Sequence, residues 1–124
     1  MAKAIQQVVP TLRITNYEQS KAFYVDGLGF AVEWEHRFEP QFPVFMSIIR
    51  DGMQVFLSEH TGDCQVGGLV YFFVPNVDAC YSELQTKQIA VKEPPNERIK
   101  GIRSMTVLDP DGNQLRFVHR TRLG

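Results

Sequence analysis

Residues that usually carry metal or nucleophilic chemistry are scarce in this sequence. There are two cysteines and three histidines in 124 residues, and Cys64 and Cys80 do not have metal-ligand spacing. A nucleophilic cysteine needs a neighbouring base, and the sequence places none beside either one. We therefore expect two inert free thiols.

Excess charge and long apolar runs are also missing. Thirteen Lys and Arg against fourteen Asp and Glu give a net charge of -1, so no overall field attracts nucleic acid or an anionic membrane. No apolar run approaches the length of a membrane span, and residues 1–6 contain no signal-peptide core. These absences predict a cytoplasmic protein with neither a nucleic-acid nor a membrane partner.

The chain does contain a repeat. Its hydrophobic fraction of 44% and nine Phe suffice for the core of one domain, 1–124. The segment 108–118 (LDPDGNQLRFV) has an earlier copy in 50–58 (RDGMQVFLS), and the same offset relates 12–17 to 72–77. In both halves a predicted strand ends at an Asn that can cap a helix. The sequence therefore predicts one unit of about sixty residues written twice.

The predicted elements follow the same order in both halves. Each Asp-Gly pair predicts a tight two-residue turn between strands. The helices are expected to run from the Asn16 cap to about Asp26 and from the Asn76 cap to about Lys87. The proline-bearing segments 38–43 and 93–98 are predicted loops, and 59–68 is a linker. The predicted strands are 8–14, 31–37, 44–49, 53–58, 69–74, 89–91, 102–108 and 113–119. This βαβββ order defines two modules, 5–59 and 68–120.

Alternation along the strands assigns them two faces. One face is apolar and is expected to pack under the helices. The other mixes aromatic, hydroxyl, amide and guanidinium groups, which suits a ligand cavity. A second packing face or a subunit interface fits this pattern equally well. The residues of the mixed face are Val9, Thr11, Arg13, Gln54, Phe56, Ser58, Leu69, Tyr71, Phe73, Gln114, Arg116 and Val118.

Several strings resemble the glyoxalase, bleomycin-resistance and extradiol-dioxygenase superfamily, whose fold is called the vicinal oxygen chelate fold. They are 12–14 before a capped helix, 23–24 followed by 28–30, and 109–113. The resemblance covers nearly the whole chain and is greatest to the bleomycin-resistance branch. It implies an α+β fold in which two βαβββ modules curl eight strands around a cleft, and it implies a homodimer.

The metal enzymes of that superfamily take ligands from four inward positions, two in each repeat. Here those positions hold Val9, Phe56, Leu69 and Arg116, none of which binds a divalent metal. Lactoylglutathione lyase, metal-dependent thiol transferase and dioxygenase chemistry all use the metal as Lewis acid. We therefore expect a binding protein rather than an enzyme, with no metal and no cofactor.

Two alternatives remain open. A displaced metal site built from Glu59, His60 and His119 would allow a glyoxalase-type lyase or thiol transferase, although three scattered surface residues are the simpler interpretation. A ligand sensor or interaction module that has lost both activities is the other alternative.

The resemblance implies that the protein sequesters a bleomycin-type glycopeptide antibiotic, free or as its copper complex, in clefts at the homodimer interface. Trp34 falls where bleomycin binders carry a stacking aromatic, although a residue at the rim of a dimer contact fits the same position. The expected ligand-binding residues are Trp34, Phe38, Phe42, Phe56, Ser58, Tyr71, Lys100, Gly101, Arg103 and Arg116.

Two departures from the bleomycin binders concern charge and stacking. The string 99–101 reads Ile-Lys-Gly where many of them have Pro-Trp-Gly, and the net charge is close to neutral. Glu33, Glu35, Glu39 and Asp63 could meet a cationic tail. In contrast, Lys100, Arg103 and Arg116 favour an anionic or carboxylate-bearing ligand.

Overall fold

The structure is a computed structural model that describes residues 8–121. Its elements are β1 Thr11–Arg13, α1 Tyr17–Lys21 with a π-helical continuation Ala22–Gly27, β2 Ala31–His36, β3 Phe45–Arg50, β4 Met53–Ser58, β5 Leu69–Phe73, α2 Val77–Thr86, β6 Glu93–Ile99, β7 Ile102–Leu108 and β8 Gln114–Arg120. The predicted start of the first module at residue 5, and both ends of the predicted domain, lie outside the described residues.

The strands form two four-stranded sheets with the orders β1-β4-β3-β2 and β5-β8-β7-β6. β1 is parallel to its neighbour β4, and β5 is parallel to its neighbour β8. All other neighbouring strands are antiparallel. The predicted α+β fold of two βαβββ modules is therefore confirmed. No helix between residues 8 and 121 is both long and apolar enough to cross a membrane.

The two asparagines cap their helices as predicted. The side-chain oxygens of Asn16 and Asn76 accept hydrogen bonds from the backbone N–H of Gln19 and Ala79, each at 3.0 Å. Each helix covers one face of the strands, and the apolar strand residues predicted to pack there are mostly buried. A buried Leu or Ile side chain contributes about 1.5–3 kcal/mol, so this face holds the fold together.

The predicted sixth strand was wrong. Residues 89–91 are not a strand, and β6 instead occupies 93–99, which was predicted to be a loop because it contains Pro94 and Pro95. β6 lies at the edge of its sheet, where a proline without an N–H is tolerated because one side of the strand has no partner. Its pairing with β7 shifts register twice, consistent with such an irregular edge. The first strand is also shorter than predicted.

The two Asp-Gly pairs form different turns. Asp51 and Gly52, with φ of 50° and 80°, make the predicted two-residue turn between Arg50 and Met53, which pair across the hairpin. The second prediction was wrong, because Leu108 pairs with Gln114 and the loop comprises residues 109–113. The Asp109 carboxylate widens this loop by accepting the N–H of Asp111 at 2.9 Å and that of Asn113 at 2.8 Å.

The 109–113 loop also joins the two modules. The buried Tyr24 hydroxyl, from the first module, donates to Asp109 Oδ2 at 2.7 Å. Asn113 Nδ2 donates to the Arg13 carbonyl at 2.9 Å, and Asn113 Oδ1 accepts the N–H groups of Gly67 and Gly68 at 3.0 and 2.9 Å. Burial, reinforced by the Asp109 charge, raises the pKa of Tyr24 above its usual range. The Asp-Pro-Asp-Gly-Asn string is thus a structural joint.

Candidate functional site

The front face of each sheet, defined here as the face turned away from the helices, contains the mixed residues noted in the sequence. In the first sheet this face is occupied by its own aromatic rings. Trp34 stacks on Phe45 with ring centroids 5.6 Å apart and approaches Phe56 at 5.5 Å, while Phe45 and Phe56 are 5.2 Å apart. Trp34 retains 42% exposure. The three rings form one aromatic cluster.

A polar network lies beside this cluster. Glu33 Oε1 accepts hydrogen bonds from Ser47 Oγ at 2.6 Å and from Gln54 Nε2 at 3.0 Å. The pairing of β2 with β3 shifts between Val32 and Trp34, and a bulge there allows Glu33 and Trp34 to reach the same face. The Glu33 carboxylate is therefore already engaged within the protein.

The front face of the second sheet instead contains a cavity of about 280 Å³. Its walls combine apolar and aromatic side chains with a few polar and charged groups, the composition typical of small-molecule pockets. The lining residues are Tyr71, Phe73, Glu93, Asn96, Arg98, Ile99, Ile102, Ser104, Thr106, Arg116 and Val118.

The strand registers explain why one face is filled and the other open. Phe56 and Arg116 occupy equivalent positions, because Phe56 pairs with Thr11 in the first sheet and Arg116 with Tyr71 in the second. By the same ladders Trp34 corresponds to Glu93, and Phe45 corresponds to Ser104. A serine and two charged residues thus replace the three rings of the aromatic cluster.

Arg116 is the central charged group of this cavity. Its Nη1 donates to the Tyr71 hydroxyl at 2.8 Å, and its guanidinium carbon lies 5.6 Å from the centre of the Tyr71 ring. Arg116 makes no ion pair with any residue between 8 and 121. Glu93, which also lines the cavity, accepts a hydrogen bond from Arg98 Nη1 at 2.7 Å. The cavity therefore contains one neutralised pair and one uncompensated cation.

The structure brings some of the predicted site residues together. Trp34 and Phe56 meet in the aromatic cluster, and Tyr71 and Arg116 meet in the second cavity. Phe38 and Phe42 are exposed in the 38–43 loop, beyond the end of β2. Lys100 and Gly101 form the turn between β6 and β7, where Gly101 has a φ of +83°.

Arg103 and Ser58 lie elsewhere. Arg103 is on the helix side of the second sheet, where its guanidinium donates to both Asp78 oxygens at 2.7 and 2.8 Å and lowers the Asp78 pKa. Ser58 is fully buried. Its hydroxyl donates to Asp63 Oδ2 at 2.6 Å and accepts the His60 N–H at 3.1 Å, so neither residue reaches the cavity.

Sequence reasoning missed several lining residues for one reason. Four of them belong to β6, which was predicted to be a loop because it contains prolines: Glu93, Asn96, Arg98 and Ile99. Because of this loop prediction, the residues that form one wall of the cavity were not expected to belong to a site. No local pattern identifies them, because neither the residue types nor the burial of β6 alternates and a proline is compatible with a strand only at a sheet edge.

The donors present do not fit a divalent metal. Between residues 8 and 121, no group of three or more His, Cys, Asp or Glu is arranged to hold one. In the alternative set, the Glu59 oxygens accept the N–H groups of Val44 and Tyr17 at 3.0 and 3.1 Å. His119 Nδ1 accepts the Val77 N–H at 2.9 Å, in the second module. These groups serve the fold in separate modules and form no displaced site.

A second cavity of about 260 Å³ lies between the 51–52 turn and α2. Its cation is neutralised, because Arg50 Nη2 lies 3.1 Å from Glu83 Oε2 and Arg50 Nε lies 3.4 Å from Asp51 Oδ2. The thiol of Cys80 in its wall is partly buried, which raises the Cys80 pKa. This cavity offers neither an unpaired charge nor an activated nucleophile.

The fold is shared with several solved structures. A glyoxalase/bleomycin resistance protein/dioxygenase superfamily member from Sphaerobacter thermophilus is 24% identical, with a TM-score of 0.75 over 94% of this chain and 98% of that one. TnmS3, an antibiotic binding protein from Streptomyces sp. CB03234, is 22% identical, with a TM-score of 0.79 over 97% and 100%. A glyoxalase/bleomycin resistance protein from the same strain is 22% identical, with a TM-score of 0.72 over 88% and 96%.

The family assignment comes from a match between the sequence and a protein-family model. No curated protein matches the chain significantly. The model described as glyoxalase superfamily protein matches residues 2–124, in agreement with the resemblance seen in the strings around 12–14, 23–30 and 109–113. The chain belongs to the glyoxalase superfamily.

Proposed function

We propose that the protein binds and sequesters a planar aromatic small molecule in the cavity of the second sheet, without a metal and without altering the ligand. The observation that carries this proposal is the difference between the two front faces. The first is occupied by the aromatic cluster, whereas the second leaves Tyr71, Phe73 and Ile99 about half exposed, at 48, 56 and 58%, around an open cavity.

The exposed rings favour a flat ligand. Stacking against Tyr71 or Phe73 contributes about 0.5–1.5 kcal/mol per ring pair beyond the burial of apolar surface. Burial itself contributes roughly 25 cal/mol per Å². Ile99 and Val118, also in the wall, supply further apolar contact. A planar ring system would therefore gain from both terms in this cavity.

Sequestration accounts for the site better than metal catalysis. The four positions that hold the metal in the family's enzymes contain Val9, Phe56, Leu69 and Arg116, and a guanidinium repels a cation rather than coordinating it. The superfamily contains both enzymes and binding proteins. The similarity in fold to TnmS3, an antibiotic binding protein, supports an antibiotic as the natural ligand class.

A bleomycin-type glycopeptide, free or as its copper complex, is the specific ligand implied by the sequence resemblance, and we propose it as the first ligand to test. Its planar bithiazole would stack on Tyr71 or Phe73 in the cavity of the second sheet, which are both about half exposed. A cationic tail would have to compete for acidic groups that are already engaged, because Glu33 binds Ser47 and Asp63 binds Ser58.

We further propose that the protein is a cytoplasmic homodimer. Large apolar side chains are exposed on both front faces, among them Trp34, Leu69, Tyr71, Phe73 and Ile99, and such surfaces are typical of interfaces. The free thiols Cys64 and Cys80 suit a reducing compartment. Sedimentation at micromolar concentration should give twice the mass of one chain. A single-chain mass would contradict the dimer.

Calorimetric titration of chelator-treated protein tests the proposed function. The ligands are bleomycin, copper-loaded bleomycin, the uncharged planar tricycle acridone and the planar aromatic acid 2-naphthoate. We expect at least one to saturate near one molecule per chain with a dissociation constant of about 1 µM or below, roughly -8 kcal/mol. Mass spectrometry should then recover that ligand unchanged.

The variant Ser104→Phe supplies the site control, because it places in the second sheet the ring that Phe45 provides in the first. It should abolish saturation while the far-ultraviolet spectrum stays that of the parent. Failure of every aromatic ligand, including 2-naphthoate, to saturate would contradict the proposal. Metal-dependent turnover of a glutathione adduct, lost on chelation, would establish the lyase alternative.

A further inference from the structure

We infer that the ligand of the second-sheet cavity is an aromatic acid, whose carboxylate or comparable oxyanion binds Arg116. This inference rests on the proposed function, because it specifies the ligand class of the same cavity. It also separates this protein from binders of cationic drugs.

The charges lining the cavity leave an excess of positive potential. Glu93 and Arg98 neutralise each other through the 2.7 Å contact between Arg98 Nη1 and Glu93 Oε2. Arg116 has no acidic partner in the part of the chain that the structure describes. A further guanidinium, that of Arg120, lies 4.8 Å from the centre of the Phe73 ring at the same wall. An anion entering the cavity therefore meets an attractive field.

The geometry of Arg116 suits an oxyanion. A guanidinium carries five N–H donors in a planar fork, and the hydrogen bond to the Tyr71 hydroxyl at 2.8 Å uses only one of them. That bond, and the position of the guanidinium carbon 5.6 Å from the Tyr71 ring centre, hold the side chain in place. The remaining donors can bind both oxygens of a carboxylate, which is among the stronger hydrogen-bonded pairs in proteins.

Neighbouring hydroxyls complete the site for an acid. Thr106 is directly opposite Arg116 in the ladder between β7 and β8, and Ser104 lies two residues earlier on β7. Both line the cavity, and each hydroxyl can donate a hydrogen bond to an anionic oxygen. Rings of the ligand would then extend over Tyr71 and Phe73. The cavity thus combines an aromatic wall with an anion-binding end.

Arg50 provides the internal contrast. It too lines a cavity, but the carboxylates of Glu83 and Asp51 lie within 3.1 and 3.4 Å of its guanidinium. An incoming anion would have to displace them. Of these two arginines, only Arg116 offers its charge to a ligand.

Three probes with the same ring system test the inference, namely 2-naphthoate, 2-naphthamide and 2-naphthylmethylammonium. They differ in charge while presenting almost equal aromatic area. By calorimetry at low salt we expect 2-naphthoate to bind at least about tenfold more tightly than 2-naphthamide. The ammonium probe should be the weakest, because it meets the charge of Arg116.

Two variants locate the preference. Arg116→Gln keeps a polar side chain but removes the charge, and should bind 2-naphthoate and 2-naphthamide about equally. Lys92→Gln removes the same charge from an exposed residue that adjoins β6 without lining the cavity, and should retain the parent's preference. Unfolding midpoints of all three proteins check that each is folded. The parent's relative affinity for the three probes can be measured even if a variant does not fold.

The outcomes separate the two proposals. Binding of 2-naphthamide or of the ammonium probe as tight as that of 2-naphthoate would overturn the aromatic-acid inference while leaving aromatic sequestration in place. A preference for 2-naphthoate that survives in Arg116→Gln would overturn it as well. If no probe binds and no larger aromatic antibiotic saturates the protein, both proposals fail.

Discussion

The two sheets share one strand order, yet their front faces are filled differently. In the first, the ring centroids of Trp34, Phe45 and Phe56 are 5.2–5.6 Å apart. In the second, the equivalent positions hold Glu93, Ser104 and Arg116 around a cavity. The apolar face under the helices is kept in both. A repeated module can therefore retain its core while its two copies fill their front faces differently.

The two Asp-Gly loops differ in the same way. The loop at 51–52 is an exposed turn that serves only its own hairpin. The loop at 109–113 holds the buried Asp109 carboxylate, which binds Tyr24 from the other module. The second module thus provides both the open cavity and the joint between the modules.

The largest expected effect comes from making the same substitution in both loops. The Tyr24 hydroxyl and Asn113 Nδ2 both donate to Asp109 Oδ2, at 2.7 and 2.8 Å. Asp109→Asn should therefore lower the free energy of unfolding by about 3 kcal/mol, because an amide N–H group in place of this oxygen would face two donors in a buried network. Asp51→Asn should change it by less than about 0.5 kcal/mol, since Asn-Gly suits the same turn. Denaturant unfolding measures both. Equal losses would show that the loops are structurally equivalent.

Filling the open face should nearly eliminate binding. Ser104→Phe should lower the affinity for the ligand by at least about 100-fold, or roughly 2.7 kcal/mol of binding free energy, because the new ring occupies the space that stacking requires. Its unfolding free energy should stay within about 1.5 kcal/mol of the parent. Calorimetry and denaturant unfolding measure the two effects. Unchanged affinity in a folded Ser104→Phe protein would place the ligand elsewhere.

Opening the filled face should act in the opposite direction. Phe45→Ser should lower the free energy of unfolding by about 2 kcal/mol, less than for a fully buried Phe because Phe45 is only half-buried. Ligand affinity should change less than threefold, since Phe45 lies on the other sheet. A large loss of affinity with little loss of stability would mean that the aromatic cluster itself binds the ligand.

The smallest effect tests the joint between the modules. Tyr24→Phe removes one hydrogen bond to Asp109 and should lower the free energy of unfolding by about 1 kcal/mol at neutral pH. Burial raises the Tyr24 pKa in the folded protein, so its contribution is complete below the ordinary tyrosine pKa of about 10 and is lost as pH rises further.

The parent should consequently lose stability above about pH 10 more steeply than Tyr24→Phe, by at most about 1.4 kcal/mol per pH unit. Comparing the two proteins cancels the titration of other groups. Denaturant midpoints at pH 8, 10 and 11 provide the measurement. If the stabilities of the parent and of Tyr24→Phe changed in parallel with pH, the Tyr24 pKa would be the same in the folded and unfolded states, which would contradict this prediction.

Much of the fold could be predicted because its signals are local. The Asn16 and Asn76 caps, the strands Met53–Ser58 and Ile102–Leu108, and the buried face follow from side-chain chemistry and alternation. Strand β6 could not be predicted, because the proline rule permits edge strands and the edge itself becomes known only after the sheet is assembled.

The candidate site could be predicted only in part. Alternation placed Tyr71 and Arg116 on one face, since both strands are regular and pair in parallel. The same alternation along β7 puts Arg103 on the face of the buried Met105 and Val107, toward α2, so its prediction as a ligand-binding residue came from the resemblance and not from the strand pattern. Ser58 follows Phe56 on the front face, but residues 60 and 63 cover it through hydrogen bonds that span the following turn.

A crystal structure of the protein with 2-naphthoate tests most directly the claim that the second sheet is the binding face. It should show the naphthyl ring against Tyr71 and Phe73, with carboxylate oxygens about 2.8 Å from Arg116 nitrogens. A ring bound instead on Trp34, Phe45 and Phe56, or in the cavity beside Arg50 and Glu83, would contradict the assignment of ligand binding to the second sheet.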